Sequence, residues 1–263
     1  MSVTYVIPTH HCNLNCSHCD LKLRTDNFNA ELFYDTLIKL DGEIIIFGGE
    51  PLLYKDKLRK LLSLNKHITS ISSNMLLWDD EIEQILKPYP KITIASSWNP
   101  HRFTEEQYSL WLTNLKKANI VNNINITLTD DLYDYDINLL LKVIKDIDDI
   151  ASIKTISFEP LVPNHDNARG DQFLCKIYDL IKGYRVKIDL RKIFGKKYCR
   201  GIYTLLPSGK LIKDCPQWYI TNHTLLKECL GCKLIKICKP CKKICNCSFP
   251  KQFYDKLQRE GIL

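Results

Sequence analysis

The chain has 263 residues, of which 45% are hydrophobic, and a formal net charge of +7 at pH 7. This length is enough for one large domain with a packed core and a small appendage. No run of about 18 apolar residues is present, which argues against a membrane-spanning helix. The N-terminus has neither the basic start nor the long apolar stretch of a signal peptide. We therefore expect a cytoplasmic protein with no membrane partner.

The first two thirds of the chain alternate between β-rich runs and helix-like segments. The helix-like segments 31–40, 105–118 and 136–147 place apolar residues along one face. Such an alternation, repeated about six times, is typical of a parallel sheet with right-handed crossovers. The six predicted strands are VTYVIPT (3–9), EIIIFGG (43–49), HITSISSN (67–74), KITIASSW (91–98), INITLTD (124–130) and KTISFEPLV (154–162).

Unusual polar residues cluster where these predicted strands end. In a (β/α) barrel that rim carries the active site. The pattern therefore favours a partial (β/α)6 TIM-like barrel over residues 1–190, although an open doubly wound sheet also fits the alternation. The rim segments are the cysteine stretch 12–19, Gly-Gly-Glu-Pro at 48–51, Ser-Ser-Asn at 72–74, Ser-Ser-Trp-Asn at 96–99 and Glu-Pro at 159–160.

The twelve cysteines form a group of three, one isolated residue and a group of eight. Because the chain is long, well cored and without an export signal, metal binding is favoured over disulfides. The first group, Cys12, Cys16 and Cys19, has the spacing C-x3-C-x2-C. A structural zinc site uses four ligands. Three thiolates on a cubane iron–sulfur cluster instead leave one iron open for a substrate or cofactor.

The stretches CNLNCSHC (12–19) and IIIFGGEP (44–51) resemble the two signature motifs of the radical S-adenosylmethionine (SAM) superfamily, with His18 where the family often has an aromatic residue. The resemblance covers about residues 3–185. It implies that Cys12, Cys16 and Cys19 hold a [4Fe–4S] cluster. The free iron would bind the amino and carboxylate groups of SAM, whose reductive cleavage yields a 5′-deoxyadenosyl radical.

The same resemblance implies cofactor contacts from Gly48, Gly49, Glu50, Asn74 and Ser97. The two glycines would allow close backbone approach, and the Glu50 carboxylate would pair with the methionine ammonium. The chain departs from the family where Met75 replaces the usual glycine and Asn99 the usual aspartate, and the glycine-rich segment of the fifth strand is not evident. An electron donor such as flavodoxin or ferredoxin is also implied.

Strand–helix alternation stops near residues 190–198, where cysteine and lysine become frequent. The LPSGK segment (206–210) predicts a hairpin that returns Cys199 and Cys215 to the same open end. Residues 191–263 therefore form a predicted second, cysteine-rich domain. Six lysines lie among its cysteines, at positions 227, 233, 236, 239, 242 and 243. They either balance buried cluster charge or form a nucleic-acid surface.

This second region resembles the SPASM domain, which carries auxiliary iron–sulfur clusters in many radical SAM enzymes. CLGCKLIKIC (229–238) has the C-x2-C-x5-C core, although the spacings before Cys215 and Cys241 each differ by one residue from the family pattern. One auxiliary cluster with spare thiols, or a zinc ribbon, is also compatible. The implied ligands are Cys199, Cys215 and Cys241 for an inner cluster, Cys229, Cys232 and Cys238 for an outer one, and Cys245 and Cys247 for one fourth position each.

Four further residues carry weaker signals. Cys175 lies in the helix-like stretch 171–183 and is expected to be a buried small residue. His101, Arg102 and Glu159 lie near the predicted rim, where they are either substrate contacts or ordinary polar groups.

The resemblance implies an enzyme that oxidises, crosslinks or epimerises a ribosomally made peptide. Because the first strand begins almost at Met1, a peptide leader would need a separate protein or a surface patch. The alternatives are a dehydrogenase acting on a sugar-like alcohol, an enzyme modifying nucleic acid or nucleotides, and a zinc-binding module without enzymatic activity. The net charge of +7 favours the nucleic-acid alternative.

Overall fold

The computed structural model describes residues 2–19, 21, 27–160, 167–189, 202–213 and 251–262. Their strands form one sheet in the order β7-β6-β5-β4-β3-β2-β1-β8-β9. Neighbouring strands are parallel except for the antiparallel pair β8–β9. The strands are β1 (Val3–Val6), β2 (Glu43–Ile46), β3 (Ile68–Ser72), β4 (Thr93–Trp98), β5 (Val121–Leu128), β6 (Thr155–Pro160), β7 (Lys187–Ile188), β8 (Ile202–Leu205) and β9 (Leu211–Ile212).

The first six strands occupy the sheet in their chain order, and helices connect them. This arrangement confirms the predicted α/β class and the partial TIM-like barrel. None of the described helices is long and apolar enough to cross a membrane. The helices are α1 (Ala30–Ile38), α2 (Lys55–Leu64), α3 (Asp80–Leu86), α4 (Glu105–Ala118), α5 (Asp130–Tyr133), α6 (Ile137–Asp148), α7 (Asn167–Ile181) and α8 (Lys251–Arg259), with a 3₁₀ turn at Pro51–Leu53.

The core forms between the sheet and its helices because two periodicities meet there. Alternate strand residues such as Ile46, Ile94 and Ile124 are fully buried against the helical layer. Helix α6 contributes residues spaced three and four apart, among them Leu140 and Ile144. The remaining strand positions point to the inner face of the partial barrel, which the helices do not cover.

Short polar residues define where the helices start after each loop. The side-chain oxygen of Asn29 accepts a hydrogen bond from the backbone N–H of Leu32 at the start of α1. Thr104 and Gln107 form a reciprocal capping box at the start of α4. Such caps satisfy N–H groups that have no partner within the helix. They therefore fix the length of the rim loops that precede the helices.

The structure also differs from the sequence expectations. Helices α2 and α3 were not among the predicted helix-like segments, and β5 begins at Val121 rather than at residue 124. The predicted hairpin at 206–210 is confirmed: Gly209 adopts a φ of 81°, and the backbone N–H of Leu206 donates to the carbonyl of Lys210 at 3.0 Å.

Two segments beyond residue 190 pack on the barrel. Strand β8 pairs in parallel with β1, and the side chain of Asp171 in α7 accepts hydrogen bonds from the backbone N–H groups of Gln252 (2.6 Å) and Phe253 (2.7 Å) at the start of α8. Phe253 and Leu257 are fully buried. The division into domains at residue 190 stays a prediction, since much of the second region lies outside the described residues.

Candidate functional site

The first cysteine group lies in the loop that follows β1. Cys12 is exposed, while Cys16 and Cys19 are half-buried. The loop starts from the buried residues Thr9 and His10 and turns tightly near its end, where the backbone N–H of Cys19 donates to the carbonyl of Cys16 at 3.2 Å. The three thiols therefore occupy one loop at the C-terminal end of a central strand.

The Gly48–Gly49 turn after β2 supports the start of this loop. The backbone N–H of Gly49 donates to the carbonyl of Thr9 at 3.0 Å, and that of Glu50 donates to the carbonyl of His11 at 2.8 Å. A Cβ atom at position 49 would lie 2.0 Å from the His11 carbonyl oxygen. Gly48 has a φ of 139°, which side chains rarely tolerate. Close approach to the cysteine loop thus requires both glycines, whereas their approach to a cofactor stays a prediction.

Glu50 is a fully buried carboxylate that joins β2 to β3. One oxygen accepts hydrogen bonds from the backbone N–H of Leu52 (3.0 Å) and the hydroxyl of Ser73 (2.9 Å), and the other from the backbone N–H of Asn74 (2.7 Å). Burial raises the pKa of Glu50, while these hydrogen bonds and the positive charge of Arg102 oppose that rise. The carboxylate therefore already has partners within the chain, and its pairing with an ammonium group stays a prediction.

Asn74 extends this connection to the first cysteine. Its Nδ2 lies 2.7 Å from Oδ1 of Asn13 and 3.8 Å from Sγ of Cys12, and its Oδ1 accepts a hydrogen bond from the backbone N–H of Leu76 at 3.0 Å. The structure thus brings Cys12, the Gly48–Glu50 turn and Asn74 together from three neighbouring strands.

Met75 shows why a glycine would suit the position after Asn74. Its φ is 65°, in the left-handed region that glycine adopts without steric cost, and its side chain is fully buried. The amide of Asn114 donates to the Met75 carbonyl at 2.8 Å, and the Met75 N–H donates to the Ser73 hydroxyl at 2.9 Å. Packing and hydrogen bonds therefore hold a methionine in a conformation that favours glycine.

Electrostatics at Cys12 reflect its neighbours. Desolvation raises the pKa of its thiol, and a hydrogen bond from the backbone N–H of Leu14 (3.4 Å) opposes the rise. The carboxylate of Glu50 raises the pKa further, whereas Arg102 lowers it. The first cysteine therefore lies within the electrostatic influence of one buried acid and one arginine from the rim.

The donor set of this loop, three thiols, is of the kind that an iron–sulfur cluster takes, although a bound cluster stays a prediction. Within the described ranges, no three His, Cys, Asp or Glu side chains come together as one metal ion would require. A cubane makes a different demand, because each protein-bound iron takes a separate thiolate. Three thiols spread along an accessible loop, with an N–H donor directed at one of them, meet that demand.

The polar residues at the end of β4 are arranged differently. Asn99 bonds to the backbone of β5: its amide donates to the carbonyl of Thr127 at 2.7 Å, and its Oδ1 accepts from the Thr127 N–H at 3.2 Å. The Ser96 hydroxyl accepts a hydrogen bond from the Trp111 indole at 3.0 Å. Ser97 is half-buried on the inner face, and its hydroxyl hydrogen-bonds to none of the described residues. Ser97 thus remains a candidate ligand, while Asn99 has a structural role.

Sequence reasoning missed two groups of polar residues. Ser73, which the sequence marked only as part of the rim segment 72–74, is buried and donates a hydrogen bond to Glu50. On β5 and β6, Oδ1 of Asn123 accepts hydrogen bonds from Thr155 (2.7 Å) and Ser157 (2.9 Å), and its amide donates to Asn125 (2.6 Å). The signal for the second group was the polar alternation in VNNINITL, which marks the inner face as polar.

The remaining candidates are scattered. His101 is exposed with a φ of 58° and packs edge-on against Tyr135, and Arg102 is half-buried next to Phe103. Glu159 lies near the end of β6, and Cys175 is partly buried against the core. The later candidate ligands lie outside the described residues, so their roles stay predictions: Cys199, Cys215, Cys229, Cys232, Cys238, Cys241, Cys245 and Cys247.

Comparisons with known proteins bear on the fold and on the resemblance that the two motifs predicted. No protein-family profile matches it. A curated relative, 7-carboxy-7-deazaguanine synthase of Methanothermobacter thermautotrophicus, is 40% identical over 72 residues, which cover 24% of this chain and 29% of the relative. The chain thus matches less than a third of that relative's length.

Two solved structures of SuiB from Streptococcus suis are similar in fold. The one bound to S-adenosylmethionine has a TM-score of 0.61 at 17% identity and is matched over 89% of this chain and 71% of SuiB. The other has a TM-score of 0.62 at 18% identity, over 84% of this chain and 62% of SuiB. At this identity the likeness shows the fold. A likeness to the SPASM domain stays a prediction, whereas the curated relative and the shared fold confirm the resemblance to the radical SAM superfamily that the two motifs predicted.

Proposed function

We propose that the chain is a radical SAM enzyme whose [4Fe–4S] cluster is held by Cys12, Cys16 and Cys19. The observation that carries the proposal is the meeting of the cysteine loop, the Gly48–Glu50 turn and Asn74 at the C-terminal ends of three parallel strands. When bound, the cluster and SAM supply an electron and a 5′-deoxyadenosyl radical, which removes a hydrogen atom from the substrate.

The chain's own residues position and balance these groups. The Gly48–Gly49 backbone supports the loop, and Glu50 keeps Asn74 next to Cys12. Three thiolates and a 2+ core carry a net charge of about −1, and Arg102 places a positive charge close enough to influence Cys12. The Ser97 hydroxyl, which bonds to none of the described residues, is available for a hydrogen bond to SAM.

The proposed substrate is a ribosomally made peptide, which is oxidised, crosslinked or epimerised. Support comes from the SPASM-like spacing of the later cysteines, which would hold one or two auxiliary [4Fe–4S] clusters and accept an electron from the product. A flavodoxin or ferredoxin would supply the first electron, and a cytoplasmic location suits such a donor.

The second candidate substrate is a small polar molecule, either a nucleobase-like compound or a sugar-like alcohol. The observation that favours it is the curated relative, whose name describes synthesis of a deazaguanine. The inner face of β5 is polar, with the half-buried Asn125 among its residues, which suits a ligand that forms hydrogen bonds. Nucleic acid is a less favoured ligand and would show binding that weakens steeply with salt.

Iron content tests the cofactor proposal. Anaerobically reconstituted protein with three cubanes should contain about twelve iron per chain, and the Cys12/Cys16/Cys19→Ala variant about eight. About four iron per chain in the wild type and none in the variant, with zinc retained in both, would support the radical SAM cluster and refute the auxiliary clusters. An unchanged iron content in the variant would refute the proposed cluster site itself.

Product formation separates the substrate classes. With SAM and dithionite, the wild type should release 5′-deoxyadenosine slowly, and the correct substrate class should accelerate that release. Peptides encoded beside the gene and a 7-deazapurine are the two probes. Acceleration by the deazapurine alone would contradict the peptide proposal, and absence of 5′-deoxyadenosine in all mixtures would contradict SAM cleavage.

A further inference from the structure

The amide of Asn74 is oriented toward the sulfur of Cys12. Its Oδ1 accepts a hydrogen bond from the backbone N–H of Leu76 at 3.0 Å, and its Nδ2 lies 2.7 Å from Oδ1 of Asn13. A flipped amide would place an oxygen against the Asn13 oxygen and a nitrogen against the Leu76 N–H. The contact 3.8 Å from Cys12 Sγ is therefore made by the N–H group.

The surrounding structure restricts Asn74 to this position. The side chain is 2% exposed, and the backbone N–H donates to the buried carboxylate of Glu50 at 2.7 Å. The carbonyl of the next residue, Met75, accepts a hydrogen bond from Asn114 at 2.8 Å. Because both neighbouring peptide groups are bound, the amide has little freedom to turn away from the cysteine loop.

We propose that Asn74 is a positioning residue that raises the reduction potential of the cluster through its hydrogen bond to the Cys12 thiolate. This inference rests on the proposed function, since it requires a cluster on Cys12. Reduction adds one electron to the cluster, and an N–H donor stabilises the resulting negative charge on sulfur more than that of the oxidised form. The backbone N–H of Leu14, 3.4 Å from the same sulfur, is a second donor that substitution of Asn74 would leave in place.

The substitution Asn74→Ser tests this role without adding charge. A serine hydroxyl can accept the Leu76 N–H, as in an ST turn, but it is too short to reach Cys12. The matched control is Asn13→Ala, which removes an oxygen 2.7 Å from the Asn74 amide and 3.9 Å from Cys12 Sγ, but removes no N–H donor to that sulfur and leaves the Asn74–Cys12 contact. Both variants are prepared as reconstituted full-length protein.

The measurement is a redox titration of the reduced cluster by electron paramagnetic resonance, without SAM. The relevant signal is the one lost in the Cys12/Cys16/Cys19→Ala variant. In Asn74→Ser, the ratio of reduced to oxidised cluster at a fixed potential should fall about tenfold, which is a midpoint about 59 mV more negative for one electron. In Asn13→Ala the midpoint should stay at the wild-type value.

A wild-type midpoint in Asn74→Ser would overturn the inference, whether or not the variant loses iron. Loss of iron without a shift of the midpoint would show only that Asn74 supports the cysteine loop. If the serine variant does not fold, Asn74→Thr replaces it: its hydroxyl can also accept the Leu76 N–H, it adds no charge and it is too short to reach Cys12, so the same fall in the midpoint is expected. An unchanged midpoint there would likewise overturn the inference. Retention of the signal in the triple cysteine variant would instead refute the proposed function.

Discussion

The strand ends of β1–β3 and of β4–β6 carry similar polar residues but use them differently. In the first region, Glu50 and Asn74 bond to one another and to the cysteine loop. In the second region, Asn99 and Asn123 bond to neighbouring strands and stabilise the sheet, while the Ser97 hydroxyl bonds to none of the described residues. The polar side chains of one half of the rim thus bond to the cysteine loop, and most of those in the other half bond across the sheet.

Gly49→Ala should cost the most stability of the variants considered, because it affects the contact between the Gly48–Gly49 turn and the cysteine loop. Its Cβ would lie 2.0 Å from the backbone oxygen of His11, so the turn and the cysteine loop must separate. We expect a loss of about 4 kcal/mol in the free energy of unfolding, at the upper end for single substitutions, together with loss of iron. Chemical denaturation and iron analysis measure the two effects.

Gly183→Ala is the matched control, since a Cβ at that position meets nothing within 4 Å. Its effect on the free energy of unfolding should be within about 0.5 kcal/mol. Equal stability of the two alanine variants would contradict the close packing of the Gly48–Gly49 turn on the loop.

A smaller loss is expected for Glu50→Gln. The Glu50 carboxylate accepts hydrogen bonds at both oxygens, and the amide of glutamine would replace one oxygen by an N–H donor that faces another donor. We expect the free energy of unfolding to fall by about 2 kcal/mol. Glu43→Gln, at the half-exposed start of the same strand, is the control and should cost less than about 0.5 kcal/mol. Urea denaturation compares the two variants, and equal losses would contradict a special role for the buried carboxylate.

The same variant predicts a change in pH dependence. Because burial raises the pKa of Glu50, its contribution to stability is present below the unfolded-state pKa and is lost as the pH rises through the folded-state value. Glu50→Gln should remove this part of the pH dependence. Denaturation curves at a series of pH values check it, and identical pH profiles for both proteins would contradict the raised pKa.

Asn99→Ala tests the second region, at the end of β4, where a loss of stability without a loss of iron is expected. Losing the amide leaves a backbone carbonyl and N–H of Thr127 without their partner, at a cost of about 1 to 2 kcal/mol. Iron content should not change, because Asn99 supports β5 rather than the cysteine loop. Loss of iron without loss of stability would place Asn99 with the first region instead.

The smallest effect on stability is expected for Ser97→Ala. The hydroxyl hydrogen-bonds to none of the described residues, so the free energy of unfolding should change by less than about 0.5 kcal/mol. If the hydroxyl binds SAM, the affinity of the reconstituted protein should fall about fivefold, in line with the loss of one hydrogen bond worth about 1 kcal/mol. Calorimetric titration with SAM decides, and an unchanged affinity would make Ser97 an ordinary rim residue.

Features that depend on residues close together in the chain could be predicted from the sequence. The spacing of Cys12, Cys16 and Cys19, the Gly-Gly-Glu-Pro turn and the strand–helix periodicity identified the superfamily resemblance, the α/β barrel and the first half of the rim. Local spacing was sufficient there because a short loop must present its thiols together and a two-residue or 3.6-residue period decides which side of an element is buried.

The groups that meet across the sheet could be identified from the fold but not from the sequence. The contact of Asn74 with Cys12, the three donors around Glu50 and the parallel pairing of β8 with β1 each join residues far apart in the chain. No local pattern specifies such pairs, because strand register and packing set the distance between them. For the same reason the sequence marked Asn99 only as a polar residue of the rim, while in the fold its amide is bound to the neighbouring strand.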